Sequence, residues 1–360
     1  MARITHFFAG ANSGDGFQNL FSELADLNET LDFIILKGGP GIGKSTLIRE
    51  IGRVMESEGA EVTYFPCSGD PDSLDGAAFP DIHCAIADGT SPHILEPQFP
   101  AAVDRYLNLG RFYDITAAKA DAEQIKAHTA EYKAAYARAY RAMRAARAVE
   151  LDAFASVGFD SERAERRFRG IALRELRRKG NQRGKTVRRF LGSLTHKGYI
   201  WRFDSVDALC PRVYELQDAF GFAAPYLETL RREASARRWD TICCMSPENP
   251  DAMEHLLIPA LGVGFVTSRD GMEYGGDAFR RVRLDALADI PDKGAYRLKT
   301  RMASALREEA VAALRDAKAA HDQLEAVYNP YVDFDGVRSV AALEAGRLLD
   351  WYGKRNARKI

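Results

Sequence analysis

The sequence predicts an α/β fold: a doubly wound parallel sheet, duplicated in tandem, with a helical hairpin inserted in each copy. Three observations carry this. Short apolar runs alternate with a helix-period stretch in the N-terminal part. The run Phe33-Ile34-Ile35-Leu36 leads directly into a glycine-rich turn and then into that amphipathic stretch. The second half of the chain repeats a worn version of the first.

A chain of 360 residues is too long for one ordinary domain. At 46% hydrophobic and 28% charged, with a net charge of -1, it has an average soluble globular composition. No apolar run approaches the ~20 residues of a membrane-spanning helix. The start, Met1-Ala2-Arg3-Ile4-Thr5-His6, lacks the apolar core of a signal peptide. The five cysteines are odd in number and have no metal-ligand spacing, which fits a reduced, cytoplasmic protein. Cys243 and Cys244, adjacent on a strand-like run, should point to opposite faces of a sheet rather than form a redox pair. Composition shifts divide the chain at 1–116, 117–186, 187–295 and 296–360: a sheet core, a basic helical insertion, a second sheet core and a helical C-terminal region.

Each element of the first core has its own justification. After the apolar strand comes Gly38-Gly39-Pro40-Gly41-Ile42-Gly43-Lys44-Ser45-Thr46, the G-x-x-x-x-G-K-S pattern of a P-loop. Its glycines let the backbone curl so that N–H groups converge on phosphate oxygens. Lys44 is placed for the β- and γ-phosphates of ATP and Ser45 for Mg²⁺. The helix beginning near Lys44 turns its positive end to the same anion. Leu47, Ile48, Ile51, Val54 and Met55 mark its buried face, and Gly59 caps it. Residues 61–67 read as the next strand, 68–76 as a turn-rich acidic loop, and His83-Cys84-Ala85-Ile86-Ala87 as a third strand closing on Asp88.

An acid closing a short apolar strand is where a Walker-B carboxylate holds Mg²⁺, so Asp88 joins Ser45 as a candidate metal ligand. An ordinary strand-ending turn is the alternative. No Glu follows Asp88, so the water-activating acid must come from elsewhere. Asp72 and Asp75 are candidates for orienting the water. Asp turns and helix caps are the competing explanation for them and for Asp70. His93, in Thr90-Ser91-Pro92-His93, reads as a polar surface residue, with a loop facing the nucleotide as the alternative. The glycine-rich segment from His6 to Phe17 reads as a hairpin turn or as a strand and turn beside the same site.

The internal repeat aligns Cys67 to Asp75 with Ser246 to Glu254, Pro80 with Pro259, Ile82 with Leu261 and Asp88 with Thr267. Phe8-Ala9-Gly10 resembles Phe190-Leu191-Gly192, and Val157-Gly158-Phe159-Asp160 resembles Val332-Asp333-Phe334-Asp335. Where the second P-loop should be, residues 216–224 contain no Gly-Lys-Ser. The second copy is therefore expected to bind no triphosphate. The frame also requires 213–218, 240–245 and 262–267 to be neighbouring parallel strands. Helices are expected over 117–149, as a pair over 161–178, and over 296–351.

Arg163, Arg166, Arg167, Arg169, Arg174, Arg177, Arg178, Lys179, Arg183, Lys185, Arg188 and Arg189 crowd the segment 163–189. Such a run is a footprint for nucleic acid or another polyanion, or a solvated face paired with acids elsewhere in the fold.

His6-Phe7-Phe8-x-Gly10, Leu36 to Ser45, Asp70 to Asp75 and Asp88 to His93 together resemble a poorly characterised family of bacterial ATPase-like proteins. The resemblance implies two P-loop NTPase domains in tandem, each with a helical insertion, and ATP binding. Here it would apply to one competent site and one degenerate copy. The expectation is an ATPase using ATP and Mg²⁺ as a conformational switch, with Lys44, Asp88, Asp72 and Asp75 as catalytic candidates. A small-molecule kinase with Asp72 or Asp75 beside its acceptor is one alternative. A nucleotide-gated module binding nucleic acid or a protein partner is the other.

Overall fold

The computed structural model describes residues 2–180 and 184–357. In chain order the first part contains β1 (Ile4–His6), the hairpin β2 (Gly10–Ser13) and β3 (Gly16–Asn19), β4 (Asp32–Lys37), α1 (Lys44–Ser57), β5 (Val62–Pro66), β6 (Leu74–Phe79), β7 (Cys84–Asp88) and β8 (Asp104–Asn108). The short α2 (Ile115–Ala118), the long α3 (Ala122–Phe154), β9 (Gly158–Phe159) and α4 (Ser161–Glu175) follow. The second part runs β10 (Thr186–Phe190), the hairpin β11 (Gly192–Thr195) and β12 (Gly198–Trp201), α5 (Phe203–Leu209), β13 (Arg212–Gln217), α6 (Ala224–Ala236), β14 (Thr241–Met245), β15 (Met253–Ile258), β16 (Val263–Ser268), β17 (Arg280–Arg283) and β18 (Ala288–Asp289). It ends with α7 (Lys293–Tyr328) and α8 (Phe334–Ala357).

Two six-stranded sheets result, ordered β1-β5-β6-β7-β4-β8 and β10-β14-β15-β16-β13-β17. Neither is all parallel. β6 runs antiparallel between β5 and β7, and β15 does the same between β14 and β16. This corrects the parallel-sheet expectation. β13 and β16 are parallel neighbours as expected, but β14 is separated from them by β15. The strand went unread because Leu74-Asp75-Gly76-Ala77-Ala78-Phe79 has no β-branched residue and opens on turn-forming chemistry. Its small residues are what a close, fully covered central strand needs. Gly76 has the backbone oxygen of Ile86 3.0 Å from where a Cβ would stand.

Strand alternation sorts the core into layers. Ile34, Leu36 and Ile86 pack with Leu47, Ile48 and Ile51 of α1, while Phe33, Ile35 and Ala87 turn to a core shared with Val213, Leu257 and Val266 of the other sheet. Tyr214, Leu216 and Phe265 pack with Leu227 and Leu230 of α6. Cys243 and Cys244 fall in different cores, as neighbours on a strand must.

The helices exchange between halves. The long helices α3 and α7 pair antiparallel, tied by Arg138–Asp316 (2.6 Å), Arg307–Glu150 (2.8 Å) and Lys299–Asp152 (2.7 Å) across an alanine-rich seam. After α3 the chain crosses over. β9 pairs with β18, and Ala164, Phe168 and Ile171 of α4 enter the second core. After α7 it crosses back. Val332 bridges Tyr113, and Val337, Ala341 and Leu348 of α8 cover the first core. The hairpin expected within each copy is thus made between the halves, and the expected pair over 161–178 is one helix. An alanine face fixes close approach but not which helix approaches.

Part of the basic segment is paired with acids or packed within the fold. Arg166 pairs with Glu162, Arg169 with Glu165, Arg188 with Glu23, and Lys185 with Asp26 and Glu29. Arg189 lies over the Phe65 ring, where burial pushes it down to about 10. Arg183 lies outside the described residues. Among the described residues no helix is long and apolar enough to cross a membrane.

Arg105 of β8 locks α8 onto the first sheet. Its guanidinium donates to Asp32 at 3.0 and 2.9 Å and to Glu344 at 3.1 and 2.7 Å. Removing it leaves two buried carboxylates with only Arg347 among the described residues, 3.1 Å from Glu344 and 4.0 Å from Asp32, as a cation beside them. Arg105→Ala should lower the unfolding free energy by about 3 kcal/mol. Urea unfolding of the two proteins checks this. A loss near zero would mean that Arg105 does not fasten α8 to the sheet.

Candidate functional site

The loop from Gly38 to Gly43 joins the carboxyl end of β4 to the amino end of α1. Gly41 and Gly43 adopt φ of +72° and +87°, a region that disfavours any side chain. Ile42 is buried and pins the loop, while Thr46 is exposed on the first turn of α1. The first N–H groups of a helix have no partner within it, so those of Lys44, Ser45 and Thr46 add to the positive end of α1. A concave set of donors at a helix start is an anion cradle.

Lys44 folds back over this loop. Its ammonium donates to the carbonyls of Gly38 (2.7 Å) and Gly39 (2.9 Å) and stands 3.6 Å from Asp88 Oδ2. Asp88 ends β7, the direct neighbour of β4, with Leu36 as its register partner. Its other oxygen accepts from Thr90 N (2.8 Å) and Thr90 Oγ1 (2.5 Å), which leaves Oδ2 facing the loop. Ser45 Oγ accepts from Leu74 N at 2.8 Å, tying the loop to the start of β6.

Strand β6 separates the two acids that the sequence left equivalent. Asp75 is buried beside this cluster, whereas Asp72 is exposed and paired with Lys197 of the β11–β12 turn. Asp70 accepts from Ser73 Oγ (3.0 Å) and faces Lys318 of α7 at 3.6 Å. His93, read from sequence as a surface residue, is 5% exposed and stacked on Phe21. Its Nε2 stands 3.3 Å from Asp75 Oδ2 and its Nδ1 3.9 Å from Asp88 Oδ2. Burial pulls this imidazole down, but the Asp75 and Asp88 carboxylates outweigh it and hold the group above its ordinary value. No local pattern marks His93, since the residues that bury it come from the β2–β3 hairpin and the turn after it.

The second half covers the loop with residues that the sequence did not single out. Gly41 N donates to Glu325 Oε1 of α7 at 3.2 Å. The Asn329 amide, turned so that its NH₂ donates, reaches Gly41 O at 3.3 Å. Tyr113 OH donates to Pro40 O at 2.6 Å, and its ring packs on Tyr328.

The corresponding loop between β13 and α6 has the same length, with Gly221 at φ +77° where Gly41 has +72°. Its donors are filled from within. Asp218, in the place of Gly38, accepts from Phe220 N (3.3 Å), Phe222 N (3.0 Å) and Ala223 N (2.7 Å), and Asp285 accepts from Ala219 N (2.8 Å). Burial raises the Asp218 carboxyl, against the pull of those three N–H groups. The counterpart of Asp75 is Glu254, which carries the Arg269 guanidinium at 2.6 Å. Aligning Asp218 with Gly38 is the signal in the sequence that would have shown a carboxylate in the cradle.

Asp218→Ala should lower stability by about 2 kcal/mol, because three N–H groups lose their acceptor in a buried turn. A chemical denaturation curve measures this. A variant as stable as the parent would show that the loop does not depend on the carboxylate. No family model, curated protein or solved structure matches the chain.

Proposed function

We propose that this chain is a P-loop ATPase with one Mg²⁺-dependent site, in its first half, and that the second half is a degenerate tandem copy that gates it. The observation that carries the reading is the ammonium of Lys44, held by the Gly38 and Gly39 carbonyls 3.6 Å from Asp88 at the mouth of a strand–loop–helix anion cradle. A triphosphate in the cradle takes the loop N–H groups, and Lys44 leaves the carbonyls for the β- and γ-phosphates. Ser45 and Asp88, each with one oxygen side already fixed by Leu74 N or Thr90, fit the two ligand roles for Mg²⁺, which supplies charge neutralisation across the phosphates. Of the two acids named after the second strand, Asp75 belongs to the site. Asp72, held outward by Lys197, offers little support to the kinase alternative.

Duplication is supported by the identical order and sense of the two sheets and by the equal loops with their matching left-handed glycines. The loss of nucleotide binding in the second copy is supported by Asp218, which already fills that cradle. The switch is supported by Glu325. Its carboxylate occupies a donor that a phosphate needs, and two anions do not share it. Nucleotide binding must therefore displace the Glu325 side chain, and with it a contact that the second half makes to the loop through α7.

Incubating purified protein with Mg-ATP and measuring free phosphate tests the reading. Lys44→Ala should weaken ATP binding about 100-fold, the worth of charge-assisted contacts to the phosphates. Asp88→Asn should lower turnover more than binding. Unchanged affinity and rate in both variants would refute the site. Glu325→Gln should tighten ATP binding several-fold, since the displaced group is then neutral. Equal affinity would show that Glu325 does not compete with phosphate.

A further inference from the structure

The geometry points to Asp75, Asp88 and His93 as a three-ligand site for a divalent cation of the imidazole-accepting class, such as Mn²⁺ or Co²⁺, rather than for Mg²⁺ alone. The inference takes from the proposed function only that Asp88 faces a metal. One ligand atom from each residue lies within 4.8 Å of the others, and all three residues are buried. Two of these groups carry buried polar atoms without a hydrogen-bond partner, Asp75 Oδ2 and His93 Nδ1. Asp75 Oδ2 has the His93 Nε2 beside it, at 3.3 Å; buried polar atoms left without a hydrogen bond are costly, and an ion that displaces the imidazole proton satisfies several at once. Asp88 offers the third ligand atom through Oδ2, which faces the Lys44 ammonium at 3.6 Å, with Oδ1 already taken by Thr90.

The surroundings hold these ligands in place. Phe21 stacks on the His93 ring with centroids 4.4 Å apart, and Phe17 meets it edge-on. Asn19 Nδ2 donates to His93 O at 2.5 Å, so the residue is clamped at both backbone and ring. Asp75 is set by β6, whose neighbour Leu74 is tied to Ser45. Two carboxylates and an imidazole are a nitrogen–oxygen set suited to Mn²⁺, Co²⁺ or Zn²⁺, whereas Mg²⁺ prefers oxygen ligands in near-ideal octahedral order. The second half fills the matching position with a fixed cation. Glu254 there holds Arg269, and Thr267 stands where the alignment puts Asp88.

The test is Mn²⁺ titration of the nucleotide-free full chain, read by pulsed electron paramagnetic resonance for a directly bound imidazole nitrogen. Without nucleotide, every nitrogen seen belongs to the protein. The expected result is one Mn²⁺ per chain with imidazole nitrogen modulation. His93→Gln should remove the modulation and weaken binding at least tenfold. Asp75→Asn should weaken binding while keeping the modulation. His321→Gln, in the separate His321, Asp322 and Glu325 group on α7, should change neither. Far-UV circular dichroism confirms that each variant is folded, and the parent spectrum stands without them. No bound Mn²⁺ in the parent chain, or modulation that survives His93→Gln, overturns the inference. Titration with a fluorescent ATP analogue separates it from the ATPase reading. Nitrogen-ligated Mn²⁺ without analogue binding refutes the ATPase reading and upholds the cation site. Analogue binding without nitrogen ligation does the reverse.

Discussion

A tight turn that points several backbone N–H groups inward must find acceptors for them, and the two halves of this molecule use carboxylates in different ways. In the second half the acceptor is Asp218, inside the turn itself and buried. In the first half its place is taken by Gly38, and the carboxylate that reaches the turn is Glu325, from α7. One acceptor is built into the turn and the other is brought by a separate helix. The proposed division between a closed copy and a working copy follows from that difference, as does a reason for the working copy to be covered by the other half.

The rest of the architecture keeps the helix-borne acceptor in reach. α7 pairs with α3 along an alanine seam, then delivers Glu325, Tyr328 and Asn329 to the first loop before α8 lands on α1. Arg105 fastens that landing through Asp32 at the start of β4, the strand that carries the loop. Any movement of α7 forced by an anion in the cradle therefore acts on a helix pair joining both sheets. The proposed nucleotide switch would act through this helix pair, because the Gly41–Glu325 contact is the one a bound anion would break.

Local chemistry was legible in the sequence, and long-range placement was not. The strand, loop and helix around Gly38 to Ser45 announce themselves, because an apolar run, glycines with positive φ and a helical period are all short-range signals. β6 was missed because Asp75, Gly76 and two alanines look like a turn unless the strands on either side are known. That miss made Asp72 and Asp75 look alike, whereas the one is a surface partner of Lys197 and the other lies beside His93. His93 itself looked like an ordinary loop residue, since only tertiary packing brings Phe21, Asp75 and Asp88 around it. Glu325 lies 284 positions from the glycine it contacts, and a helical Glu carries no mark of such a partner.

Amide hydrogen exchange followed by mass spectrometry, with and without Mg-ATP, addresses the central claim most directly. The account predicts slowed exchange across 38–46, altered exchange near Glu325 on α7, and no change across 218–224, where Asp218 and Asp285 already hold the donors. Protection of 218–224, or no response to Mg-ATP in 38–46, would contradict it.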